Sequence, residues 1–115
     1  MKIEYKKRKT TDSIVILIKD TGCLTYDDLF TKYRRKGDFD IGVQYFVDGN
    51  GTVFDERMDE EVADWIYPDC ATALYILAQS NSKKLNSCQR HSVDILVDNL
   101  KKKFGEDITV VERVE

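Results

Sequence analysis

The sequence predicts a single α/β (α+β) domain, and three stretches carry that reading. Residues 14–18 and 72–78 are nearly unbroken apolar runs of strand length, the pattern of strands covered on both faces. Residues 41–54 read as a strand, a tight turn and a return strand, and residues 86–105 repeat apolar side chains at helical spacing. A chain of 115 residues can bury a core without staples, and one proline with no Gly/Ser tract leaves no linker, so residues 1–115 form one domain.

The elements follow in order. Lys2 to Lys7 alternates Ile3 and Tyr5 with charge, which predicts an edge strand whose lysines discourage further pairing. Lys6, Lys7, Arg8 and Lys9 could meet phosphate, but a solvated edge is the plainer reading. Ile14 to Ile18 is the central strand. Thr25 to Lys36 reads as a helix, with Thr25 and Asp28 as a box-like start, Leu29, Phe30 and Tyr33 as its apolar stripe, and Gly37 as its stop. Arg34, Arg35 and Lys36 set cations at its carboxyl end, where they offset the dipole. Ile41 to Val47 is β-branched and aromatic, hence strand. Asp48-Gly49-Asn50-Gly51 then reverses the chain, and Thr52-Val53-Phe54 returns.

The next stretch is acidic. Asp55, Glu56, Asp59, Glu60, Glu61, Asp64 and Asp69 are interleaved with Met58, Val62, Trp65 and Ile66. This pattern fits a short amphipathic helix with one solvated side, or a face for a basic protein partner or an amine-rich ligand. Trp65 and Tyr67 are expected to close the core. Thr72 to Ala78 is a buried strand, and residues 81–84 are loop. Asn86 caps the last helix with Gln89 answering three residues on. Val93, Leu96, Val97, Leu100 and Phe104 form its stripe, Lys101 to Lys103 offset its dipole, and Gly105 ends it. Ile108 to Val114 is the final strand.

Composition narrows the function. A net charge of −3 argues against a general nucleic-acid binder, and no apolar run is long enough to cross a bilayer. The first nine residues lack the apolar centre of a secretory signal, and three cysteines at irregular spacing suggest reduced thiols; both point to the cytoplasm. Cys88 and the single histidine, His91, are three apart at a helix start, but two ligands do not make a zinc site. A half-buried thiol and a surface imidazole are expected, with no cofactor. No pair of carboxylates has the spacing or apolar pocket that glycoside chemistry needs.

Gly42-Val43-Gln44-Tyr45, followed by Asn50-Gly51-Thr52-Val53 and Glu56-Arg57, resembles the zinc-dependent N-acetylmuramoyl-L-alanine amidases. That family includes the amidase-type phage lysozymes and the peptidoglycan-recognition proteins. Its motif is Gly-Tyr-His-(Phe/Tyr), an apolar pair, a turn, then Asp-Gly-Thr-Val and Gly-Arg. The resemblance runs from Thr11 to about Arg113, and Leu85-Asn86-Ser87-Cys88-Gln89 supports its register. It implies a central mixed sheet of about five to six strands flanked by helices. It also implies where chemistry would sit, and those positions are altered. Leu17 stands at the first zinc histidine, Val43 at the assisting tyrosine and Gln44 at the adjacent histidine. The second zinc histidine falls near Arg113, and the sequence stops at Glu115 before the third ligand. Leu17, Val43, Gln44, Trp65 and Tyr67 would line what remains of the substrate groove.

The expectation is therefore a catalytically inactive amidase-like module, of phage or mobile-element origin, that works through contacts with a protein partner. The alternatives are a binder of peptidoglycan fragments that does not hydrolyse them, or, last, a residual cell-wall amidase or an enzyme with relocated chemistry. A homodimer through an exposed edge strand would be a further role. No membrane partner is expected.

Overall fold

The aliphatic run in residues 14–18 lies inside a sheet, with a strand on each side. A computed structural model describes residues 7–20, 26–35, 42–63, 67 and 69–115. In it, β1 (Ser13–Lys19) is followed by α1 (Tyr26–Arg35), β2 (Tyr45–Val47), β3 (Val53–Asp55), β4 (Ala73–Gln79), α2 (Ser87–Phe104) and β5 (Thr109–Val114). The sheet order is β3-β2-β4-β1-β5. β1 pairs in parallel with β4 and β5, β2 pairs in parallel with β4, and only β3 runs antiparallel, against β2. The sheet is mixed and α/β, as expected. Lys2 to Lys6, Cys23, Gly37, Ile41, Asp64, Trp65, Ile66 and Pro68 lie outside the described residues, as do the side chains of Leu29, Phe30 and Tyr33.

Strand alternation splits the core in two. On one face Val15 and Leu17 meet Tyr75, Leu77, Phe46, Val43, Ala63 and Tyr67. On the other, Ile14, Ile16 and Ile18 meet Leu74, Ile76 and the Val93, Val97 and Leu100 stripe of α2. Both faces of β1 and β4 are sealed, so neither strand needs a polar side. Asn86 and Gln89 form the expected reciprocal cap of α2, and the Gly105 N–H bonds Lys101 O at 2.8 Å.

Three expectations are corrected. The strand before the hairpin is shorter than residues 41–47: Gly42 takes φ +86° and the ladder begins only at Tyr45. Gln44 still bonds sideways, its N–H to Tyr75 O (3.1 Å) and its C=O to the N–H groups of Glu56 and Arg57, so the chain bulges there. The acidic stretch is not helical over its described residues, 56–63; it is a turn with an isolated antiparallel bridge between Lys7 and Glu61. Arg8 is the reason, and it is no solvated edge residue. The residue is 9% exposed, and its guanidinium donates to the carbonyls of Glu61 and Asp59, and through Nε to Thr11 Oγ1 at 3.1 Å. Those carbonyls turn inward to satisfy it and cannot serve a helix. Burial pushes the Arg8 pKa down, and nearby Asp59 and Glu60 work against that fall.

Candidate functional site

Adjacent strands bring Leu17 of β1 and Arg113 of β5 together as Cα partners, their side chains on one sheet face. Leu17 is fully buried in the core cluster with Val43, which is equally buried. Arg113 reaches over this floor. Its Nη2 donates to both Asp69 carboxylate oxygens at 3.2 Å and to the Tyr75 hydroxyl at 2.9 Å. The Tyr75 hydroxyl in turn donates to Asp69 Oδ1. The Arg113 guanidinium sits 5.6 Å from the centre of the Tyr75 ring, and Tyr67 stacks on that ring at 4.3 Å. Aliphatic groups, two stacked phenols and an ion pair thus close the place where the resemblance puts a metal.

A zinc ion does not fit these groups. Leucine has no lone pair, a guanidinium repels a cation, and the one carboxylate present is committed to Arg113 and Tyr75. Among the described residues no three His, Cys, Asp or Glu side chains converge. Cys88 and His91 are both exposed on α2. Cys70 is a half-buried free thiol against the core, whereas Cys88 is more exposed than the half-buried thiol expected of it. Asp69 and Tyr75 were missed as partners by sequence reasoning. The available signal was a tyrosine inside an aliphatic strand, because a buried hydroxyl needs a hydrogen-bond partner. Arg113 and Asp69 are partly exposed, at 37% and 39%, so the pair contributes modestly. Arg113→Met is expected to cost about 1 kcal/mol in urea unfolding. A double-mutant cycle with Tyr75→Phe should show coupling of at least ~0.5 kcal/mol.

Gln44, expected above to line the remaining groove, does not. It is fully buried: Nε2 donates to Glu61 O at 2.6 Å and Oε1 accepts from Tyr75 N–H at 2.8 Å. Tyr67 is 8% exposed and closes the core, and Trp65 lies outside the described residues.

The acidic residues are not an open face either. Asp59 accepts from the Tyr45 hydroxyl and from Lys103 Nζ at 3.1 Å, and Glu60 pairs with Lys103 at 2.5 Å. Glu61 is buried, its Oε1 capping Met58 N–H at 2.6 Å. Glu56 is half-buried, Asp55 is exposed and Asp64 lies outside the described residues. Burial, then the bond to Asp59, raises the Tyr45 pKa above its ordinary range. The hydrogen bond from Lys103 lowers the Glu60 pKa below its ordinary value. A lowered carboxylate stabilises the fold above its unfolded pKa and ceases to do so as pH falls through its folded one. The wild type is therefore expected to lose a few tenths of a kcal/mol below about pH 4.5, and Lys103→Met to remove that share of the acid-side slope.

The open concavity lies elsewhere. It opens beyond the carboxyl ends of β1, β2 and β4, where Asp20, Asp48 and Ser80 follow their strands. A cavity of about 630 Å³ is found there, lined by Asp20, Asp48, Phe54, Ser80, Asn86 and Gln89 among others. Its volume is that of a small-ligand site.

No protein-family profile matches the chain, and no curated protein sequence matches it. Solved structures do. The endolysin N-acetylmuramoyl-L-alanine amidase LysCS from Clostridium intestinale URNW superposes with a TM-score of 0.76 at 17% identity, over 96% of this chain and 77% of that one. Drosophila peptidoglycan recognition protein SD gives 0.79 at 17% identity, over 96% and 74%. A complex of the recognition-protein ectodomains LCa and LCx with bound tracheal cytotoxin gives 0.73 at 16%, over 96% and 75%. At such identities the likeness establishes the fold.

Proposed function

We propose that this chain, which has the fold of the N-acetylmuramoyl-L-alanine amidases and peptidoglycan-recognition proteins, is a binding module that does not hydrolyse cell wall and acts through contacts with a protein. The single observation carrying this reading is the replacement of the expected metal site by Leu17, Val43 and the Arg113–Asp69–Tyr75 group. Zinc hydrolysis needs a metal to lower the pKa of water to about 7, and these side chains supply neither that nor a general base. A cytoplasmic setting suits the exposed Cys88 thiol, and a phage or mobile-element origin suits an amidase fold without its chemistry.

A second reading rests on the cavity beyond β1 and β4, which has room for a peptidoglycan fragment. Purified protein incubated with zinc and bacterial sacculi is expected to release no peptide and to hold no stoichiometric metal. Sacculus cleavage with one tightly held zinc would overturn the first reading. A thermal shift produced by muropeptides alone would favour the second.

A further inference from the structure

We propose that β5 is a seam at which two copies of this chain join their sheets through antiparallel β5–β5 pairing. β5 stands at one end of the strand order, and among the described residues only β1 pairs with it. The Thr109 N–H bonds Asp12 O at 3.3 Å and the Glu115 N–H bonds Ile18 O at 2.9 Å. Odd-numbered residues of β5 thus direct their backbone groups at β1. Alternation then sends the N–H and C=O of Val110, Glu112 and Val114 outward.

The edge is thinly guarded, with Glu112 and Arg113 as its only charged side chains, and each of these is engaged within its own chain, by Arg90 and Asp69. It carries no proline, lysine or bulge, and it exposes Val110 (36%), Val111 (38%) and Val114 (51%). These are three of the six exposed large apolar side chains among the described residues, so exposure is concentrated on this one strand. β3, at the opposite end of the sheet, has three residues against the six of β5.

A second copy fits because the strand is complementary to itself. A two-fold axis normal to the sheet pairs residues of like parity, which leaves a short choice of registers. Centred on Val111, it sets Val111 opposite its own copy, Thr109 opposite Arg113 of the partner subunit, and Val110 opposite Glu112 of the partner subunit. The outward backbone groups of Val110 and Glu112 then exchange bonds across the seam. Centred on Glu112, it would set two carboxylates face to face, a destabilising arrangement. The Val111-centred register is therefore the one proposed, and it does not depend on what the cavity binds.

Sedimentation velocity on the whole chain should show a dimer fraction that rises with loading concentration. Val110→Pro removes an outward donor and leaves the β1 bonds intact, so it should give monomer at every concentration with an unchanged circular dichroism spectrum. Val111→Cys places two thiols in a non-hydrogen-bonded pair, about 4.5 Å apart at Cα, within disulfide reach. It should cross-link under mild oxidation at least tenfold faster than Thr109→Cys, with the 111–111 peptide identified by mass spectrometry. A chain that stays monomeric throughout, or Cys variants that cross-link at equal rates, would overturn the proposal. If Val110→Pro does not fold, the cysteine comparison decides alone.

Discussion

Gln44→Leu is expected to destabilise the protein by about 3 kcal/mol, although it changes volume little and places an apolar residue in an apolar setting. The Gln44 side chain is the acceptor for the Tyr75 N–H (2.8 Å) in the middle of the sheet, where the bulge at residue 44 interrupts the ladder. Leucine leaves that donor buried and unpaired, at a cost of about 1–3 kcal/mol. Glu61 O also loses its bond from Gln44 but keeps Arg8, so its loss is smaller. Gln44→Glu separates the two contributions. A glutamate keeps the acceptor for Tyr75 but faces Glu61 O with a second oxygen, and burial raises its pKa. Protonation supplies the missing donor, so stability of that variant should rise as pH falls through the raised pKa, opposite to the wild-type trend. Urea melts at pH 7 and pH 5 read this directly; a flat response would mean that Gln44 merely fills space.

Gly51→Ala should cost as much, about 3 kcal/mol, from two sources. The residue has φ +83°, where a β-carbon is strained by roughly 1–2 kcal/mol. That β-carbon would also lie 2.7 Å from the Cys88 carbonyl oxygen and 2.9 Å from its carbon, backbone atoms of the first turn of α2 that cannot swing aside. Relieving the clash moves the hairpin off the helix and stretches Ser92 Oγ–Gly51 O (2.5 Å), Asn86 Nδ2–Gly49 O (2.7 Å) and Gln89 Nε2–Asp48 O (3.0 Å). Gly49 has open space at the corresponding point, so Gly49→Ala is the control and should cost less than about 1 kcal/mol. Equal melting temperatures for the two variants would contradict this account.

These two sites show what the sequence could and could not convey. The aliphatic runs of β1 and β4, the Asp48–Gly51 turn and the Asn86/Gln89 cap are local signals, and each element formed where its own residues asked for it. Gln44 gave no such signal, because a single polar residue in an aromatic strand looks the same whether it faces water or anchors a bulge. The acidic stretch failed as a helix because its carbonyls answer Arg8, about fifty residues earlier in the chain. The Arg113–Asp69–Tyr75 group joins residues 38 and 44 positions apart, and no window of the sequence contains it. Family resemblance pointed to Leu17 and Arg113; strand register placed them side by side.

The interior position of β1, between β4 and β5, also bears on synthesis. Its two neighbours, β4 and β5, begin sixty and ninety-six positions downstream by the register pairs Ser13↔Ala73 and Ser13↔Thr109. On the ribosome the stickiest segment therefore emerges early, waits about sixty residues for its first neighbour, and keeps its other flank open until β5 follows. Nascent chains arrested before residue 109 should hold chaperones or aggregate, and release of the last strand should be the event that ends this exposure.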